Sequence, residues 1–354
     1  MSKKKKIIIS VISSIIGVAI IVFGTLYFVI DFKPKGKHVI DEWHKEDAYS
    51  TKYVSVVEKD PNKEFTILNL TDIQLSDFEP SGAEDTMKAL IKELIDRTNP
   101  NLITLTGDQI WTNHSKHALR REISWFEEFK IPWAPVFGNH DGEGTATLDY
   151  QCDLYEEAEH CLFKRGPSNI GGIGNYVVNI KEGNSIFKSL YMLDLGTIDN
   201  FTQGQIDFVK WNADGNKANN GGEYQASFCF CHRAINAYNK AWVSYLMDPS
   251  IAIGDVYRSF YISHPDCGNE FFELAKEINV TDIICGHQHG NHFTIPYDGV
   301  RLTFSLKTGD MCSIYEDPNN PHLFVVGGSS IVLSGENVTY HSNYVGEQYR
   351  IKTK

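Results

Sequence analysis

Ile131-Pro132-Trp133-Ala134-Pro135-Val136-Phe137-Gly138-Asn139-His140-Asp141 is the stretch on which the reading of this chain turns. Its apolar first part, Ile131 to Val136, reads as a short buried strand. Glycine then permits a tight turn. An amide, an imidazole and a carboxylate follow at the strand's carboxyl end, where α/β sheets collect ligands and catalysts. Asn139 offers a metal-ligating oxygen, and His140 a group that can carry a proton. Alone, such a tetrapeptide is more often a polar turn, so its meaning depends on how the other strands end.

They end alike. Phe65 to Leu70 reads as a strand running into Thr71-Asp72-Ile73-Gln74. Met87, Leu90, Ile91, Leu94 and Ile95 then recur at helical spacing, and Asn99-Pro100 stops that helix. Leu102 to Thr106 is a second strand, ending in Gly107-Asp108, and a helix over Ala118 to Phe129 leads to the strand before Asn139. Tyr176 to Ile180 and Ile186 to Leu193 read as paired strands, and Gln203 to Ala213 as a helix. Ala226 to Cys231 is an apolar strand ending at His232. After a helix over Glu270 to Ile278, Asp282 to Cys285 runs into Gly286-His287-Gln288-His289-Gly290. Residues 293–349 alternate apolar and polar, with turns such as Asp298-Gly299, and predict antiparallel strands. Residues around 142–172 and 236–266 read as loops. Strand–helix alternation of this kind predicts a mainly parallel sheet covered by helices, in one α/β domain.

The residue types share a chemistry. Asp72, Gln74, Asp108, Asn139, His287 and His289 each follow a strand, most beside a turn glycine. Carboxylate and amide oxygens mixed with imidazole nitrogens suit Mn, Fe or Zn better than Ca. An aspartate can use both oxygens and so bridge two ions.

The set Asp72-Ile73-Gln74, Gly107-Asp108, Gly138-Asn139-His140-Asp141 and Gly286-His287-Gln288-His289 resembles, in order and spread, the motifs of the calcineurin-like metallophosphoesterases. The resemblance implies an α/β fold of four layers, α/β/β/α. It also implies two divalent or trivalent metal ions at the strands' carboxyl ends. Asp72, Gln74 and His289 would serve one ion, Asn139, His232 and His287 the other, with Asp108 bridging. His140 would be the catalytic imidazole, tuned by an acid such as Asp108 or Asp141. The chain departs from the family at Gln74, where a histidine is usual, and an amide is the weaker ligand. The middle histidine has two candidates. His232 precedes Arg233-Ala234-Ile235-Asn236-Ala237-Tyr238, similar to a turn in one branch of the family, and is preferred. His264, in Ile262-Ser263-His264-Pro265, is the other.

The first residues are of a different material. Lys3 to Lys6 form a basic tail (1–6), followed by an uncharged apolar stretch, 7–30. Spanning a bilayer takes about 20 such residues. The stretch lacks a small-x-small cleavage site, so it reads as an uncleaved anchor. Lysine flanks place the N-terminus in the cytoplasm and the rest outside. Residues 31–62 read as a polar stalk with a lead-in strand, and 63–350 as the phosphoesterase domain. Setting aside the four lysines of residues 1–30 leaves 29 basic against 45 acidic residues, a net charge of −16. Such a surface repels nucleic acid and anionic lipid. Of seven cysteines, Cys152 and Cys161 could pair in an oxidising exterior, and Cys229 and Cys231 read as small core side chains.

The expectation is a membrane-anchored, extracytoplasmic phosphoesterase that hydrolyses phosphate esters, monoesters favoured, with a hydroxide activated by two metals. The alternatives are a catalytically weakened ectodomain acting as a binding module, and a phosphodiesterase or nuclease of the same fold.

Overall fold

The computed structural model describes residues 41–76, 83–258, 261–309 and 326–345, with isolated positions before residue 23. The chain divides into residues 1–39 and a packed body, 40–354. The expected anchor, 7–30, lies almost wholly outside the described residues. Among those residues no helix is long and apolar enough to cross a membrane.

The body holds two sheets. The five-stranded one contains β2 (Phe65–Leu70), β3 (Leu102–Thr106) and β4 (Trp133–Val136), all parallel. It is extended antiparallel by β12 (Gly327–Ser334) and β13 (Asn337–Tyr344), in the order β13-β12-β2-β3-β4. The eight-stranded sheet opens with β1 (Val54–Glu58), β5 (Tyr176–Glu182) and β6 (Ser185–Met192). It continues through β7 (Ser227–Phe230), β9 (Val280–Cys285), β11 (Val300–Phe304), β10 (Asn291–Tyr297) and β8 (Ile253–Arg258). Its centre, β6-β7-β9-β11, is parallel.

Successive side chains of a strand face opposite ways, and this alternation sorts the cores. On β7 and the residue after it, Phe228 and Phe230 join the cluster that also holds Ile67, Ile103 and Trp133, whereas Cys229 and Cys231 join the other cluster. The first cluster includes α1 (Ala83–Thr98) and α2 (Ser115–Phe129) through Leu90, Leu94, Leu119 and Phe126. Phe126 stacks on Trp133 with ring centroids 5.3 Å apart. The second cluster lies under α4 (Gln203–Asn219), α5 (Ala237–Met247) and α6 (Asn269–Glu277), with Val209, Tyr238 and Phe271. The sheets meet directly, for example where the Tyr176 hydroxyl donates to the Pro135 carbonyl at 2.9 Å. The short α3 (Leu148–Glu157) lies between β4 and β5 in sequence, with Cys152 and Tyr155 buried.

Several expectations change. Residues 41–53 are not a free stalk: Trp43 packs edge-on against Phe208 and Trp211 of α4. Its backbone N–H donates to Asn169 Oδ1 at 3.0 Å. Aromatic side chains in an otherwise polar stretch find apolar cover. The lead-in strand exists as β1, parallel to β5. The 236–266 loop contains α5 and β8. The helix escapes pattern reading because Ala237, Tyr238 and Ala241 form its buried face while Val243, Leu246 and Met247 are exposed. Cys152 and Cys161 are both free thiols, as is every described cysteine. The tail is mixed, since β11 runs parallel to β9 on one side and antiparallel to β10 on the other.

Candidate metal centre

Five parallel strands, β2, β3, β4, β7 and β9, deliver their carboxyl ends to one place. The turns that follow are tight enough to need unusual backbone. Asp72, Gln74, Asp108 and His287 all have positive φ, between 51° and 71°. Such strain in non-glycine residues persists where the surroundings over-determine it, commonly at functional sites. Gly138 allows the closest approach. A Cβ there would sit 2.2 Å from both the Asp108 nitrogen and its Oδ1.

The side chains converge in two groups that share a residue: Asp108, His232 and His287 in one, Asp72, Asp108 and His289 in the other. His289 Nε2 lies 3.2 Å from Asp72 Oδ1. His232 Nε2 lies 3.1 Å from Asn139 Oδ1, 3.2 Å from His287 Nδ1 and 3.5 Å from Asp108 Oδ2. Its Nδ1 is 2.8 Å from the Thr106 carbonyl. A carbonyl only accepts, so Nδ1 carries a proton and Nε2 is the atom turned toward the cluster. Gln74 Nε2 is 3.4 Å from Asp108 Oδ2, while its Oε1 is buried with no partner. The residues sequence reasoning singled out are therefore brought together, Gln74 and His232 included. His264 is not among them: its side chain is 75% exposed and its nearest ionic partner is Asp266.

The electrostatics ask for positive charge. Burial would lower His232, but the Asp108 and Asp72 carboxylates override it and hold it up at about 9. Burial pushes His287 down to about 3, helped by the charge of His232, so it stays a neutral donor. Asp72 and Asp108 remain below the usual carboxylate range despite burial, through His289 and His232 respectively. With the orphaned Gln74 oxygen, this donor set fits two cations that would share Asp108 as a ligand.

Asp141 and His140 behave differently from their neighbours. Asp141 is buried. Its Oδ2 accepts from the Gly138 N–H at 2.7 Å and the Asp108 N–H at 2.9 Å, and its Oδ1 from the Ile110 N–H at 3.0 Å. It clamps the β3 and β4 turns together. Burial and the neighbouring Asp108 push its carboxyl up to about 7. His140 has a partner that sequence reasoning missed: Glu143 Oε2 lies 2.9 Å from Nδ1, leaving Nε2 facing Asp108 Oδ2 at 3.9 Å. The clue was available, since Glu143 follows three residues later in the short turn Asp141-Gly142-Glu143.

This geometry, metal-ligating groups at the ends of parallel strands in two facing sheets, defines a class. A family profile of calcineurin-like phosphoesterases matches residues 65–291. The chain belongs to that family. Among relatives, Phosphatase DCR2 of Saccharomyces cerevisiae is 26% identical over 265 residues, 66% of this chain and 45% of that protein. The probable inactive purple acid phosphatase 14 of Arabidopsis thaliana is 22% identical over 288 residues, 69% of this chain and 70% of that one. Among solved structures, a dimetal phosphatase from Danio rerio aligns with a TM-score of 0.46 at 13% identity, covering 78% of this chain and 95% of that one. The chain spans less than half the length of the yeast phosphatase.

Proposed function

We propose that this chain is a membrane-anchored, extracytoplasmic, metal-dependent hydrolase of phosphate esters, with monoesters its preferred substrates. The observation that carries the reading is the pair of ligand groups sharing Asp108, with His140 beside them. Asp72, Gln74 and His289 would hold one ion of the Mn, Fe or Zn type, and Asn139, His232 and His287 the other. Bound there, such ions supply Lewis acidity, activating water near neutral pH and balancing charge on the phosphoryl oxygens. Asp108 sits between both groups and sets their spacing. Thr106 fixes the His232 tautomer that leaves Nε2 free to ligate. Glu143 holds Nδ1 of His140, so Nε2 is the atom that carries a proton to the leaving oxygen. The uncharged stretch 7–30 behind its lysines supports the anchor, and the acid-rich remainder argues against nucleic acid as substrate.

A second reading is a metal-bound ectodomain that binds a phosphorylated partner without turnover. It is favoured by Gln74, a neutral ligand, and by the name "probable inactive" borne by the Arabidopsis relative. One comparison separates the two. The full chain, stripped and reloaded with Mn, Fe or Zn, is assayed on a chromogenic monoester and diester beside H140A. The hydrolase reading expects His140→Ala to lower monoester turnover roughly 100-fold or more, the usual worth of a general acid. Equal background rates for both proteins under all three metals would leave only the binding module.

A further inference from the structure

Trp111 lies at this centre without a part in holding it. It follows Asp108 by three residues, and its N–H donates to the Leu75 carbonyl at 3.1 Å. A β-bridge joins the neighbouring Ile110 to Leu75. Its backbone is thereby pinned between the turn carrying Asp108 and the turn carrying Gln74. The indole meets the His140 imidazole with ring centroids 5.3 Å apart and planes at 53°. Yet 42% of the residue stays exposed. Tryptophan usually buries its large apolar surface, so an indole left open at this point is available to something that arrives.

Orienting His140 does not require it. Glu143 already holds the imidazole by Nδ1 at 2.9 Å. What the indole borders is the space beside the His140 ring. Under the hydrolase reading, on which this inference rests, that space receives the leaving group. We propose that Trp111 is a specificity-determining residue, and that the centre selects phosphate monoesters whose leaving group carries a planar aromatic ring, which stacks on the indole. The neutral ring adds affinity without adding charge. That suits a small aryl ester in an acid-rich protein better than a polyanion.

Phenylphosphonate and methylphosphonate share a headgroup, resist hydrolysis and differ in the ring, so they isolate the stacking contribution. Both are titrated calorimetrically into the Mn-loaded full chain, as wild type, W111A and W111F. The wild type is expected to bind phenylphosphonate about tenfold more tightly, a gain of the size that aromatic stacking provides. W111A should lose that preference with methylphosphonate affinity unchanged, which also shows that it is folded, and W111F should keep most of it. In turnover, W111A should lower kcat/KM for phenyl phosphate by a similar factor and leave that for glycerol 2-phosphate unaltered. The inference is overturned if wild type shows no preference, or if W111A keeps it. It is also overturned if W111A weakens both phosphonates equally, since Trp111 would then only support His140. A preference intact in a protein that turns nothing over would uphold the aromatic subsite and remove the hydrolase reading.

Discussion

Asp141 offers the sharpest test of how the two candidate metal-binding turns are held. The perturbation is a pair of substitutions, Asp141→Asn and Asp141→Ala. In the wild type three buried N–H groups, those of Gly138, Asp108 and Ile110, share its two oxygens. Asparagine keeps the volume and, with its oxygen at the Oδ2 position, still accepts from Gly138 and Asp108. Its amide then faces the Ile110 N–H, donor against donor. One buried donor left unsatisfied costs about 1–3 kcal/mol. Alanine strands all three, an upper bound of roughly 9 kcal/mol on the same scale. Water entering the space, and relief from burying a carboxylate beside Asp108, reduce this to about 3–5 kcal/mol. Urea denaturation of the metal-free full chain measures the order wild type, D141N, D141A. Calorimetric titration with Mn measures whether the turns still present their ligands, and the alanine variant should bind at least one ion much more weakly. Equal stability of the two variants, with wild-type metal binding in both, would refute the clamp.

Three further outcomes are expected. Elemental analysis of purified protein should find metal lost from H232A and unchanged in H264A, and the reverse result would move the middle ligand to His264. Gly138→Ala should cost about 1–3 kcal/mol by overpacking and reduce metal content, because the new methyl collides with Asp108; a variant with normal metal content would show that the turn can give way. His292 is buried with its Nδ1 and Nε2 partnered by the Phe304 carbonyl and Ser342 Oγ, and burial lowers it from 6.5 to about 4. The unfolded chain therefore binds the proton first, so metal-free stability should fall as pH drops from about 6.5 toward 4, by up to about 3 kcal/mol. H292L should remove that part of the pH dependence, and an unchanged slope would mean that the imidazole is not held neutral.

The motif residues were legible because each sits directly after a strand whose apolar run is visible, and because carboxylate, amide and imidazole together have few structural uses. Helices with one clear apolar stripe, such as α1, were legible for the same reason. The α5 segment was not, since its apolar residues run round most of the helix and only one face finds cover. Trp43 and its neighbours read as stalk because the surface they pack on, α4, is remote in sequence.

By itself the sequence determined which side chains this protein can offer a metal, and the strand ends that present them, because alternation and turn chemistry are local. Only the tertiary structure decided how they are used. Two sheets had to face each other before Asp108 could belong to both ligand groups and before His232, not His264, could reach Asn139 and His287. The same packing gave Asp141 to three backbone N–H groups, His140 to Glu143, and Trp111 to the open side of that imidazole. Those partnerships join turns from different strands, and no local pattern encodes a distance across a fold.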